Sequence, residues 1–195
     1  MIPLRTHLLK LAATLPTGAR GRKELLSILA TEKSALRLEG TPQVIEVLNR
    51  LLQREMTVVH QYMVQHSMCD NWGYNELSGC LKAQAIGEMK HAEMLIERII
   101  FLESAPEVGQ LGEVRVGADI PTMLQNNEEA EREAVELYNR SIAICYQLGD
   151  NGTRKMLEPI LSDEEAHLDH TQALLDQINA MGLELFLSEQ TTHTA

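Results

Sequence analysis

One arrangement of glutamate and histidine occurs twice in this 195-residue chain. Glu88 follows Glu55 by 33 residues, and His91 follows Glu88 by three. Glu164 follows Glu131 by the same 33 residues, and His167 again comes three later. One Glu-x-x-His in an acidic helix is common by chance. Two copies, each with a carboxylate at the same upstream offset, point to four carboxylates and two imidazoles meeting at a pair of metal ions. Residues three apart share a helix face, so His91 points where Glu88 points, and His167 where Glu164 points.

Four buried carboxylates with no partner would be very costly. Two divalent cations bring four positive charges against the four negative ones. A set rich in oxygen, with two imidazoles and no thiolate, suits Fe or Mn better than a closed structural zinc site. In the symmetric reading, Glu55 and His91 serve one ion, Glu131 and His167 the other, and Glu88 and Glu164 bridge. Glu128, Glu129, Glu133 and Glu136 compete with Glu131, and the matching offset selects Glu131.

The elements that position these groups follow from the apolar periodicity. Aromatics make up only 4% of the chain, while Leu, Ala, Glu and Met are plentiful, which favours helices. Thr41-Pro42 is a hydroxyl N-cap followed by proline, a helix start. A first helix is expected to about Asn71, ended by Trp72-Gly73. A second is expected from about Asn75 to Ser104. Residues 105–121 hold three glycines and two prolines and read as an extended connection. Its ~16 residues reach about 50 Å, and a 30-residue helix is about 45 Å long. The connection can therefore run the length of a bundle and make helices two and three parallel. A third helix is expected from Asp119–Pro121 to Leu148. Gly149-Asp150-Asn151-Gly152 is a turn signal, with Thr153 able to cap a fourth helix that ends near Gly182. Pro159 falls inside that helix and either kinks it or delays its regular start. Leu183–Leu187 is a candidate short fifth helix. The fold class is all-α: a four-helix bundle with a long crossover and a short C-terminal helix.

Net charge is −11, which argues against binding driven by nucleic-acid phosphates and suits attraction of cations. The three cysteines form no C-x-x-C pair, so neither a disulfide framework nor a thiolate metal site is indicated. No apolar run approaches the ~18 residues of a membrane span. Lys10 interrupts Leu8–Leu15, a poor secretory core; the expected location is cytoplasmic.

Residues 41–190 resemble the bacterioferritins over almost their whole length. The resemblance rests on Leu51–Tyr62 (LLQREMTVVHQY), Asn71-Trp72-Gly73, Glu88–Glu93 (EMKHAE), Glu97–Glu103 (ERIIFLE) and Ser162–His170 (SDEEAHLDH). Ferritin-like proteins draw four Glu and two His from four helices in this way. The six residues Glu55, Glu88, His91, Glu131, Glu164 and His167 fall on the family's ferroxidase positions. The resemblance implies a homo-oligomeric shell of about 24 subunits built from dimers. It also implies oxidation of Fe(II) by O2 or H2O2 at two Fe ions per subunit, with Fe(III) mineral stored inside. An electron-donor protein is a further partner of this kind of protein.

Met89 falls on the family's axial haem position, which implies haem b shared between two subunits with one Met from each. It follows Glu88 by about 100° around the helix, so it faces away from the metal centre. Paired thioethers suit haem iron; a methionine in an ordinary subunit contact is the plainer alternative. Tyr62, seven residues after Glu55, shares its face and either hydrogen-bonds the site, passes electrons or packs the core. His60, His66 and His170 read as ordinary helix residues, with a role behind the metal ligands or lining a channel open for His170.

The domain plan is a basic extension over 1–40, the bundle over 41–190 and a tail over 191–195. Residues 1–40 carry seven Lys/Arg and three Asp/Glu, and the remainder ten and twenty-five. Leu4, Leu8, Leu11 and Leu15 make one face of a short basic helix. A transit peptide, a membrane-surface arm, an extra helix on the shell and a disordered tail all fit that pattern.

Four other readings compete with a bacterioferritin-type store. A di-manganese catalase or another ferritin-like oxidase would need no hollow shell. A non-catalytic haem or electron-transfer subunit would tend to have lost some of the six ligands. A rubrerythrin-type peroxidase would need the missing C-x-x-C pairs, and a mini-ferritin takes its ligands from a subunit interface.

Overall fold

A computed structural model describes residues 39–191. Most of the basic segment over 1–40 and of the tail over 191–195 lies outside the described residues. Within them are five helices: α1 (Pro42–Trp72), α2 (Asn75–Phe101), α3 (Ile120–Gln147), α4 (Asn151–Met181) and α5 (Leu183–Glu189). None is long and apolar enough to cross a membrane.

The helix ends follow local chemistry. Thr41 caps α1, its side chain accepting from the Val44 amide, with proline at the first helical turn. Gly73 ends α1 at φ 83°, and the Tyr74 amide reaches back to the Cys69 carbonyl at 2.9 Å. Only glycine takes that left-handed conformation without strain. Helix α2 stops at Phe101, three residues short of the expected Ser104. Glu103 turns left-handed at φ 60°, and the Ser104 amide closes on the Ile99 carbonyl at 3.1 Å. This is the same αL closure with a costlier residue. Helix α4 is capped by Asp150, not by Thr153 as the sequence suggested. The Asp150 carboxylate accepts from the Thr153 amide at 2.9 Å and from its hydroxyl at 2.6 Å. Helix α4 starts upstream of Pro159 and continues through it.

The crossover between α2 and α3 is strapped along α1 by a row of polar side chains. Asn49 accepts from the Glu107 amide at 2.9 Å, Thr57 from Gly112 at 2.8 Å and Gln61 from Arg115 at 3.0 Å. Gln65 donates to the Val116 carbonyl at 2.8 Å. The partners advance in the same order on both segments, so the strap runs in the direction of α1. It therefore delivers α3 antiparallel to α1 and parallel to α2, as the length of the connection implied. Gly117 makes the entry to α3 at φ 84°, where a Cβ would stand 2.7 Å from the Met123 amide nitrogen.

The core is in two apolar layers. One contains Leu48, Leu51, Leu52, Leu95, Ile99, Tyr138, Leu157 and Ile160. The other contains Val58, Tyr62, Leu77, Leu81, Leu124 and Phe186 of α5. Each fully buried Leu, Ile or Phe contributes about 1.5–3 kcal/mol relative to exposure. Between the layers lies a polar stratum, which is the candidate site.

Candidate metal centre

All four helices of the bundle contribute to this stratum. Glu55 comes from α1, Glu88 and His91 from α2, Glu131 from α3, and Glu164 and His167 from α4. The four carboxylates are 0% exposed. Each lies on the helical stripe that carries the apolar core residues, which is why the fold buries it.

The donor atoms fall into two overlapping sets. Glu55, Glu88, His91 and Glu164 form one, and Glu88, Glu131, Glu164 and His167 the other. Within each set one ligating atom per residue lies within 4.8 Å of all the rest. Glu88 and Glu164 belong to both, the positions assigned to the bridging ligands. The structure thus brings together all six residues singled out by the repeat. Glu128, Glu129, Glu133 and Glu136, the rivals of Glu131, are absent from both sets.

Both histidines turn Nδ1 inward. His91 Nδ1 is 3.0 Å from Glu88 Oε2 and 3.1 Å from Glu164 Oε1. His167 Nδ1 is 3.0 Å from Glu88 Oε1. On the outer side, His91 Nε2 is 3.3 Å from Asp163 Oδ2. A carboxylate on the outer nitrogen holds the tautomer that leaves the inner nitrogen free to ligate.

Three residues of the site, Arg54, Tyr138 and Asp163, were not anticipated from sequence, whereas the hydrogen bond of Tyr62 was one of the roles open to it. Arg54 enters the centre itself. Its Nη1 is 3.1 Å from Glu55, 3.5 Å from Glu88 and 3.1 Å from Glu164, and its Nη2 is 2.7 Å from Glu131. One residue before Glu55 on a helix, it reads as a solvated neighbour; its long stem folds back instead. Tyr138 donates to Glu55 at 2.5 Å, and Tyr62 donates to Glu131. A signal for Tyr138 did exist: it follows Glu131 by seven residues, as Tyr62 follows Glu55. Asp163, immediately before Glu164, carried no such mark.

Confinement of these charges shifts their proton affinities. Burial, only partly offset by Arg54, pushes Glu55 up to about 8. Burial likewise raises Glu164. Burial also opposes ionisation of Glu88, but contacts with His167 and His91 and the charge of Arg54 hold its carboxyl well below the usual range. Burial would lower His91, yet Glu164 and Glu88 push it up to about 11. Burial acts the same way on His167, and Glu88 raises it. The side chains thus supply their own cations to a cluster of four acids.

They do not satisfy it. Glu88 Oε1, both Glu164 carboxylate oxygens and His167 Nδ1 are buried without a hydrogen-bond partner of acceptable geometry among the described residues. Close approach without proper geometry is what charged groups show when they converge on a common point. Orphaned buried acceptors of this kind are costly, and they are the atoms that a pair of divalent ions would coordinate. The donor set therefore fits two such ions.

Met89 is 53% exposed, on the side of α2 away from the centre. Ile86, one turn earlier, is also exposed. His60 bonds the Met56 carbonyl at 2.6 Å and His66 the Ser78 carbonyl at 3.0 Å. His170 Nε2 lies 3.1 Å from Cys80. None of these three histidines belongs to either donor set. Cys69, Cys80 and Cys145 are free thiols.

The family model for the ferritin-like domain matches residues 45–181, so the bundle and its buried acids define a ferritin-like protein. A bacterioferritin of Streptomyces coelicolor is 37% identical over 157 residues, covering 79% of this chain and 94% of that protein. A bacterioferritin of Brucella melitensis is 34% identical over 149 residues, covering 76% and 92%. One from Mycolicibacterium paratuberculosis is 31% identical over 152 residues, covering 78% and 96%. The chain belongs to the bacterioferritin family.

Proposed function

We propose that this protein oxidises Fe(II) to Fe(III) at the centre formed by Glu55, Glu88, His91, Glu131, Glu164 and His167, and stores the product as mineral inside a shell of its own subunits. The observation that carries this reading is the pair of overlapping donor sets with Glu88 and Glu164 in common. Iron is the substrate, and bound as a pair it supplies electrons to O2 or H2O2. Glu55 with His91 holds one ion, Glu131 with His167 the other, and Glu88 and Glu164 span both. Tyr138 and Tyr62 orient the two terminal carboxylates from opposite sides of the bundle. Asp163 orients the His91 ring. Apolar layers above and below exclude water and keep the ligands from swinging outward.

Assembly follows the family: a closed shell of about 24 subunits made from dimers. Met89 is the residue that would hold haem b between two subunits. Its exposure, its separation from the di-metal centre and the soft thioether donor support that role. Haem held there would supply one-electron chemistry, and an electron-donor protein is a further partner of this reading.

The test is direct. The purified protein is run on a size-exclusion column and its iron, manganese and visible absorption are measured across the peak. An iron-filled assembly of hundreds of kilodaltons with a haem Soret band is the expected result. A small, manganese-containing oligomer that destroys peroxide would overturn the storage reading in favour of a catalase.

A further inference from the structure

The guanidinium of Arg54 stands where the metal ligands converge. Its Nη atoms contact Oε2 of Glu55, Glu88, Glu131 and Glu164, all within 3.5 Å. Those same four carboxylates are the ones that make up the two donor sets. The charges do not allow both occupants. Two divalent ions already balance four carboxylates, and a guanidinium among them adds an uncompensated positive charge in a dry site. Arginine cannot relieve this by losing its proton. It has to move.

The structure offers it somewhere to go. A surface pocket of about 390 Å³ is lined by Arg54 itself together with Thr57, Glu113 and Glu133 and two further cations, Arg50 and Arg115. Glu133 is already paired with Arg115 at 3.2 Å, which leaves Glu113 as the carboxylate of the pocket able to receive the guanidinium. The present seating is also incomplete. Arg54 Nε is buried with no hydrogen-bond partner among the described residues, so the guanidinium is held by its two terminal nitrogens alone. A side-chain rotation about the Arg54 stem carries the head from centre to pocket while the α1 backbone stays in place.

We propose that Arg54 is a displaceable counter-ion that competes with divalent metal for the centre. It holds the four carboxylates together before loading and swings toward Glu113 in the pocket as metal enters. This inference rests on the di-iron reading above. It makes Arg54 a setting on metal affinity: the site gives up tightness of binding and gains a stable unloaded form able to take in and release iron.

The experiment uses the full-length assembled protein, stripped of metal and titrated with Co2+ by calorimetry. Wild type is expected to bind two Co2+ per subunit. Arg54→Gln is expected to bind Co2+ more tightly, on the order of tenfold or more, because a full charge beside the metal has been removed. Its metal-free form should also melt at a lower temperature than wild type. Arg54→Lys keeps the charge and should bind Co2+ less tightly than Arg54→Gln. Unchanged or weakened Co2+ affinity in Arg54→Gln would overturn the proposal. A second measurement needs no variant. Wild type is treated with phenylglyoxal with and without Co2+, and modification of Arg54 is mapped by mass spectrometry. Metal loading should increase labelling of Arg54, the reverse of ordinary ligand protection; equal or reduced labelling overturns the swing. Wild type that binds no Co2+ defeats the di-iron reading itself, whereas two Co2+ bound identically by wild type and Arg54→Gln defeats only the role of Arg54.

Discussion

Tyr138 on α3 donates to Oε1 of Glu55 on α1 at 2.5 Å, while Tyr62 on α1 donates to Glu131 on α3. The two bonds are related by the internal repeat and cross the bundle in opposite senses. Each tyrosine belongs to a different apolar layer, so each layer steadies one terminal ligand. Removing the Tyr138 hydroxyl in Tyr138→Phe leaves a buried carboxylate short of one donor. The expected loss of stability is about 1–3 kcal/mol, read by thermal denaturation of metal-free protein. Iron oxidation should slow, and Tyr62→Phe should behave alike. A variant with wild-type stability and rate would show that these hydroxyls do not position the ligands.

Loss of a ligand should be more severe than loss of an orienting group. Glu88→Ala or His91→Ala should slow Fe(II) oxidation by more than the roughly 10–100-fold typical of removing an outer partner. Assembly should persist, because Glu88 and His91 are buried inside a single bundle. Stopped-flow oxidation together with size-exclusion chromatography measures both. Wild-type rates in the double variant Glu55→Ala/Glu131→Ala would contradict the ligand assignment.

The pH dependence of the metal-free protein follows from the shifted groups. Glu55 sits at about 8 against an ordinary 4.5, so the folded state keeps a proton that the unfolded chain has lost. Its contribution is fully present below about 4.5 and disappears as pH rises through about 8. Glu164 shifts in the same direction. His91, held at about 11 against 6.5, extends the loss to higher pH. Glu88 is depressed and acts oppositely, but its contribution is lost only in acid. The melting temperature of stripped protein should therefore fall between about pH 5 and about pH 9. Loading with Co2+ should expel protons, flatten that profile and give calorimetric heats that vary with the ionisation enthalpy of the buffer. A melting temperature that climbs over this range in stripped protein would refute the charge arrangement described here.

Met89→Leu should remove haem and leave the ferroxidase reaction intact, since the side chain is exposed on the far side of α2. The Soret band of purified protein measures the first and stopped-flow oxidation the second. Retention of haem by the variant would exclude Met89 as its ligand.

Much of the centre was legible from sequence because its geometry is mostly helical arithmetic. A repeat of 33 residues across a tight turn returns Glu88 to the level of Glu55. The three-residue step to His91 keeps the imidazole on the same face. Local chemistry also placed most helix ends, from Thr41-Pro42 to Gly182. It misplaced the end of α2, where Glu103 takes a conformation that its side chain disfavours. It offered Thr153 as a cap where Asp150 serves, since either side chain can accept an amide and only the fold shows which residue is the first outside the helix.

Tertiary structure alone decided which side chains tie the halves together. The length of the connection already implied that α3 runs parallel to α2, but only the packed chain shows Asn49, Thr57, Gln61 and Gln65 gripping the crossover and the tyrosine bonds crossing between α1 and α3. Arg54 was hidden for a different reason. Short, stiff carboxylates and imidazoles stay near the face their backbone assigns them, so spacing locates them. A guanidinium on a long flexible stem reaches several neighbours, and its place is chosen by the electrostatic field of four acids that exists only once the helices have packed.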